Sequence, residues 1–521
     1  MTLLSNPSFV DHLTTSVRFV LPEVTLVGAA CVLFTLAAFR CSRVVSLVLG
    51  LIGVVAAGAV AIVFPEQINA LNPAYAPIDP TGAAMFIRWI ALISAAVYLL
   101  LGWAESHADS PEYNACLLVV AAGVSLVGRA NDLVLLFLAL EMISIPTYVL
   151  LYLPSRSKAG QEAAMKYFML SVLSSGVLLF GFSYLYGLTG STNLPVIIST
   201  LTAATKTGSV SPLAMVGMIL VIAGLGFRIA MVPFHFYAPD VYEGGPTGVV
   251  AQLAFLPKVA GFVALGRIMG VLSTHGSGGL PFDTEHTLIP LTLWVIAVVT
   301  MTFGNLLALI QDNLRRLFAY SGIAHGGYML IGVLVACSSP PAGADQSGMD
   351  SVLFYLVAYG LMTVGAFGVI THLTTRERAI EVVDDLAGMG KTNPFAALLM
   401  SIFFLSLIGL PLTVGFVGKL NLVLGAFQVP SDTKMKNLYQ VLAAIAVLNA
   451  AVSAVYYLRV IGVLFLRTPL QPGESRTRHP LPLIAATVCA AATLVFGVYP
   501  QPLSDWTHLA APVKSAPALP K

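Results

Sequence analysis

The chain has 521 residues, 57% of them hydrophobic and only 10% charged, with a formal net charge of +2. Soluble domains carry about 25% charged residues, so a water-soluble globule is excluded, and the balanced charge gives no reason to expect nucleic acid as a partner. The five cysteines, Cys31, Cys41, Cys116, Cys337 and Cys489, are far apart and are expected as small core residues, and no Gly-x-Gly-x-x-Gly stands between a strand and a helix. No iron–sulfur, zinc or dinucleotide site is therefore expected in this chain.

A membrane-crossing helix needs about 20 mostly apolar residues. The first such run, 17–39, is longer than a signal-peptide core and lacks a convincing cleavage site, so it reads as a retained span. Further runs follow at 44–64, 82–103, 114–130, 132–153, 163–188, 212–237, 246–272, 288–311, 316–337, 350–373, 395–424, 438–466 and 481–499, about fourteen in all. The expected fold is all-α, a polytopic integral membrane protein surrounded by the lipid bilayer. Loops after odd-numbered spans hold twelve Lys and Arg residues, among them Arg315, Arg316, Arg376, Arg378 and Lys391, against seven on the other side, tails included. That bias predicts a cytoplasmic face for the first set and extracytoplasmic termini. The longest loops, 189–211 and 374–394, are too short for a soluble domain. The second, with Glu381, Asp384 and Asp385, reads either as a solvated charged loop or as an interfacial helix or docking surface.

Seven basic residues remain within the spans: Arg88, Lys166, Arg228, Lys258, Arg267, Lys419 and Arg459. Each costs roughly 2.5 to 3.5 kcal/mol near the bilayer centre unless paired, hydrated or snorkelling. Arg88, Arg267 and Arg459 lie nearer the ends of their runs and are expected to snorkel. Glu141 lies mid-run in NDLVLLFLALEMISIPTYVLLY with no basic residue within a turn, so it must be protonated or paired with a cation from another helix. Lys166, Lys258 and Lys419 read as isolated and deep, and a desolvated ammonium readily releases its proton. Such a row is a path for protons.

Two spans are interrupted. In GLGFRIAMVPFHFYAPDVYEGGPTG, Pro233 removes a backbone donor between Arg228 and His235, and in LSLIGLPLTVGFVGKLNLV, Pro411 precedes Lys419. Broken helices at matching places in two halves point to inverted repeats around a mid-membrane ion site. His235 and His325, the latter in RRLFAYSGIAHGGYML, are as readily packing residues as proton carriers.

At these residues the chain resembles the antiporter-like membrane subunits of respiratory complex I, the proton-pumping NADH:quinone oxidoreductase, and of the Mrp-type cation/proton antiporters. The motifs LEMISIPTYVLLY, EAAMKYF, VPFHFYAPDVYEGGP and RRLFAYSGIAHGGY carry the likeness, which covers nearly the whole chain. It implies about fourteen helices, two inverted five-helix repeats and broken seventh and twelfth helices. Units are expected at 1–112, a three-helix segment; 113–272 and 273–467, the two repeats; and 468–521, the last helix and tail.

The resemblance further implies that Glu141 and Arg228 form a modulating pair, with Lys166 on the sixth helix, Lys258 as the central proton donor and acceptor, and Lys419 near the exit. His235 and His325 join this relay. Arg228 departs from the usual lysine of the family and, as an arginine, cannot itself release a proton. NADH, FMN, iron–sulfur clusters and quinone are expected in partner subunits, with no cofactor in this chain, and the partners are other membrane-arm subunits in a bacterial inner membrane. The alternative is a subunit of an Mrp-type antiporter or a membrane-bound hydrogenase.

Overall fold

The computed structural model describes residues 16–39, 42–64, 77–79, 82–103, 111–153, 157–206, 211–272, 288–338, 348–374, 380–429, 435–468 and 480–510. The termini, Cys41 and the segment 375–379, on which part of the topological expectation falls, lie outside the described residues.

The described residues form helices α1 (Leu21–Ala37), α2 (Arg43–Val63), α3 (Gly82–Gly102), α4 (Pro111–Arg129), α5 (Leu133–Tyr152), α6 (Lys158–Thr189), α7 (Leu194–Lys206), α8 (Pro212–Ile229), α9 (Ala238–Gly244) and α10 (Thr247–Ile268). They continue with α11 (Leu288–Leu309), α12 (Leu314–Cys337), α13 (Gly348–Leu373), α14 (Met389–Thr392), α15 (Pro394–Ile408), α16 (Val414–Phe427), α17 (Lys436–Leu466), α18 (Pro480–Val498) and α19 (Gln501–Ala510). Twelve are long and apolar enough to cross a membrane. Of the fourteen runs read from the sequence, the two outside that dozen are the 17-residue α1 and the broken pair α15 and α16.

Local chemistry sets the helix ends. Asp132 caps α5, Ser157 caps α6, Ser211 caps α8 and Asn313 caps α12, each side-chain oxygen accepting from a free N–H of the first turn. At the first interruption, α8 stops at Ile229, Ala230 turns into the left-handed region, and the chain runs as turns to α9. At the second, Gly409 (φ +94°) ends α15, and α16 starts five residues beyond it at Val414.

Burial is uneven. Every residue of α10 is buried, and α4, α12 and α13 are nearly so, whereas α2 and α18 turn most of their surface outward. The protein core is thus a set of inner helices around α10, with lipid-facing helices outside them. Cys31 departs from its expectation: it is exposed on α1, while Cys116, Cys337 and Cys489 are buried.

Loops sort onto two faces. On one, Ile78 bridges Ala130, Asp132 bridges Asn193, and Arg267 pairs with Asp79, all in or beside loops after even-numbered spans. On the other, Asn313 bridges Val382, and Arg467 pairs with Asp384, all after odd-numbered spans. This agrees with the alternation read from the sequence. In the described part of the second loop Glu381 and Asp384 are exposed, as a solvated charged loop requires, and the chain forms a four-residue 3-10 turn, Val383–Leu386, beside the 311–314 turn.

Two of the expected snorkelling arginines do not snorkel. Arg88 is buried, pairs with Glu23 at 2.9 Å and donates to the Phe19 carbonyl at 2.6 Å. Arg267 is buried, pairs with Asp79 at 2.9 Å and donates to the Gly128 carbonyl. A carboxylate from another element is available to each, so pairing replaces hydration. Arg459 is partly exposed and donates to the Gln311 carbonyl at the membrane edge, as expected of an end-of-span residue. Arg129, assigned to a loop by the charge tally, is fully buried 3.5 Å from Glu23, and Arg315 is buried as well. One is lost from each side of the tally, so its direction stands.

Candidate functional site

Glu141 lies nine residues past the Asp132 cap of α5, and Arg228 lies in the last turn of α8, where a cation also suits the helix C-terminus. Arg228 Nη2 is 2.9 Å from Glu141 Oε1, so the lone carboxylate does find its cation on another helix. The same guanidinium donates to the Leu140 carbonyl at 3.0 Å and to Ser144 Oγ, while Ser175 Oγ of α6 donates to Glu141 at 2.5 Å. Three helices are thereby tied at one ion pair. Arginine suits this position because its fork serves several acceptors at once.

Lys258 sits midway along α10 and is 2% exposed. The helix approaches α8 closely: a Cβ added at Gly261, one turn beyond Lys258, would lie 3.3 Å from Arg228 Cβ. Lys258 Nζ donates to the Gly322 carbonyl of α12 at 2.5 Å and to Tyr359 Oη of α13 at 3.2 Å. It also lies 4.7 Å from the centre of the Tyr359 ring, a cation–π contact. Among the described residues no carboxylate pairs with it.

His325 follows Gly322 by three residues on α12 and is fully enclosed. Its Nδ1 is 2.6 Å from Tyr355 Oη and its Nε2 is 3.2 Å from Tyr457 Oη, which also bonds Ser321. Its ring centre is 5.3 Å from that of Tyr359 and 5.8 Å from that of Tyr328.

Lys419, on α16, sits 5.0 Å over the Tyr328 ring. Its Nζ donates to the Leu407 carbonyl at 2.7 Å and the Ile408 carbonyl at 3.1 Å. Those carbonyls are the last of α15, left free because the helix ends there. Lys419, Tyr328, Gly409 and Phe416 line a cavity of about 180 Å³ at the break.

The structure therefore brings Lys258, His325 and Lys419 together through hydroxyl and aromatic side chains, with the Glu141–Arg228 pair beside them where α8 meets α10. It does not bring in the other two. Lys166 is neither isolated nor deep: it is 40% exposed, 2.7 Å from Glu162 and 2.6 Å from Asp240. The reason is length, since the 32 residues of α6 rise about 48 Å against a hydrocarbon core of about 30 Å, so the first turns stand clear. His235 is half-buried in the turns between α8 and α9, and among the described residues its Nδ1 has no hydrogen-bond partner.

Reasoning from charged residues missed Gly322, Tyr328, Tyr355, Tyr359 and Tyr457. A signal was present: Tyr355 and Tyr359, like Ser321 and His325, are polar residues four apart within apolar spans, and so share a helix face.

The profile of the NADH:quinone oxidoreductase/Mrp antiporter transmembrane family matches residues 130–446. The chain belongs to this family of antiporter-like polytopic membrane subunits. It is 37% identical over 519 residues to NADH-quinone oxidoreductase subunit N of Anaeromyxobacter sp., covering 96% of this chain and 97% of that one. It is 36% identical over 446 residues to subunit N of Gemmatimonas aurantiaca, covering 83% and 81%. A chain of respiratory complex I from Thermus thermophilus with bound aureothin superposes with a TM-score of 0.73 at 29% identity, over 93% of this chain and 99% of that chain. A chain of the Mrp complex from Dietzia sp. shares the fold, with a TM-score of 0.76 at 21% identity, over 94% and 96%.

Proposed function

We propose that this chain, as subunit N of a proton-translocating NADH:quinone oxidoreductase, moves protons across the membrane by cycling the charge on Lys258. The observation that carries the reading is the pairing of this lysine with a carbonyl and a phenol instead of a carboxylate. An ammonium held by a carboxylate has reason to stay charged; one held by neutral acceptors can lose its proton without stranding a buried anion.

Lys258 bonds the Tyr359 hydroxyl, the Tyr355 and Tyr457 hydroxyls bond the two nitrogens of His325, and ring contacts of His325 with Tyr359 and Tyr328 and of Tyr328 with Lys419 carry the line between these groups. Histidine suits the middle of such a line because it accepts at one nitrogen while donating from the other. Arg228 holds a fixed positive charge beside Glu141, and any movement that separates the pair would change the field at Lys258, one turn along from the α8 contact. Lys419, beside the cavity at the helix break, is placed to receive or release the proton at the far end. Electron transfer from NADH through FMN and iron–sulfur clusters to quinone takes place in partner subunits, and this chain responds through its neighbours in the membrane arm.

In the bacterial inner membrane, the face with Asn313, Val382 and Arg467 is the cytoplasmic one and both termini are outside. A cysteine at Thr375 should resist a membrane-impermeant reagent in intact cells; labelling from outside would reverse the orientation. The functional reading is tested with Lys258→Ala in membrane vesicles. Proton uptake and quinone reductase should fall together while the subunit still assembles, and wild-type pumping per electron would overturn it.

A further inference from the structure

Outside the polar line, a groove of about 340 Å³ lies between α3, α13 and α18, roofed by α19. Among the described residues no Lys, Arg, Asp or Glu side chain lines it. Along α3 it runs from Phe86 to Tyr98, twelve residues or about 18 Å of helix. One leaflet of the bilayer is about 15 Å thick, half the hydrocarbon core. The groove is thus about as long as one leaflet is thick, the scale of a single acyl chain.

Its two ends differ. At the α19 end stands Trp506, 55% exposed; indole rings favour the boundary between headgroups and hydrocarbon. Helix α19 has polar Ser504, Asp505 and His508 against apolar Leu503 and Trp506, the pattern of a helix lying in the interface. It is fixed there by His508 Nδ1, 3.1 Å from Asp350 at the start of α13. At the inner end the groove closes on Tyr98, whose hydroxyl is spent on the Ala251 carbonyl at 3.2 Å, and on Phe255, one turn from Lys258.

We infer that this groove is a binding site for one acyl chain of a bilayer phospholipid, entering beneath α19 and ending against Tyr98 and Phe255. The chain is recognised by its length and apolar character, since the described lining offers no charged side chain to a headgroup. A seated chain fills the space behind α10, so the wall at Phe255 is backed by hydrocarbon on the side away from Lys258.

The test uses the full chain in its native membranes and a phosphatidylcholine with a photoactivatable diazirine near the end of one acyl chain. Cross-links should concentrate on α3 and α18 residues facing the groove, above the level at Val55, which faces outward on α2. Ala492→Phe, which fills the groove from α18, and Ile93→Trp, at an outward-facing rim residue, should each reduce groove labelling several-fold and leave labelling of α2 unchanged. Two variants from opposite walls guard against one that fails to fold. The inference is overturned if groove labelling merely equals that of α2, if neither filling substitution lowers it, or if a protein segment is cross-linked there instead.

Discussion

Lys258 Nζ and the Gly322 carbonyl oxygen lie 2.5 Å apart, so the cation of α10 rests on the backbone of α12. The contact depends on residue 322 having no side chain: a Cβ there would lie 2.6 Å from Lys258 Nζ and 2.7 Å from Tyr359 Oη. Helix carbonyls are normally engaged along the axis, and this one takes an additional ammonium because the helix surface is bare at that point. The glycine thereby decides which groups the lysine meets.

Gly322→Ala should therefore impair pumping without unfolding the protein. Alanine is favoured over glycine in a helix by about 1 kcal/mol, and the atoms displaced are two side-chain ends, the Lys258 ammonium and the Tyr359 hydroxyl, with no backbone atom among them. Proton uptake should drop markedly at near-normal subunit abundance. Gly326→Ala, whose added Cβ would meet only Ile229 at an ordinary 3.5 Å, is the control and should pump as wild type. Equal activity of the two variants would remove the positional role of Gly322.

Charge and proton exchange are separated by Lys258→Arg. Arginine keeps a positive charge but does not deprotonate at working pH, so pumping should stop as completely as in Lys258→Ala. The arginine is also bulkier, so blue-native electrophoresis of the assembled complex must accompany the assay. Normal proton uptake in an assembled Lys258→Arg variant would show that the lysine acts only as a fixed charge.

At Arg228 the opposite pattern is expected. Arg228→Ala leaves Glu141 without its cation, a loss on the order of 3 to 5 kcal/mol for a buried pair unless the carboxylate takes up a proton. Arg228→Lys can keep the ion pair but not all the bonds to Leu140, Ser144 and Ser175, so activity should be intermediate. The order wild type, Lys, Ala in vesicle proton uptake is the prediction, and Arg228→Ala pumping normally is the result that rejects it.

Lys166 offers a contrast with Lys258. Its pairs with Glu162 and Asp240 are exposed, and such pairs contribute about 0 to 1 kcal/mol. Lys166→Ala should change thermal stability little and keep most proton uptake. If it abolishes pumping as Lys258→Ala does, Lys166 belongs to the relay after all, despite its position at the water-facing end of α6.

From sequence alone, hydropathy located most spans to within a few residues, because a bilayer admits only long apolar helices whose backbone groups are satisfied within the segment; the seventh run overshot the helix end at Ile229 by eight residues. Pro233 and Pro411 marked the interruptions for an equally local reason, the missing N–H. The presence of Glu141 and Lys258 in apolar runs was likewise enough to nominate them, since an ionisable group there is costly. What each charge does was decided by residues far along the chain. Arg228, 87 positions from Glu141, neutralises it, and Glu23 and Asp79 hold arginines that end-of-span position alone had assigned to snorkelling. The contacts of Gly322 and Tyr359 with Lys258 and of His325 with Tyr355 are tertiary as well, because only the packing of α10, α12 and α13 brings these residues together. Hydropathy is a property of one segment, whereas pairing and proton transfer are properties of atoms a few ångströms apart on different segments.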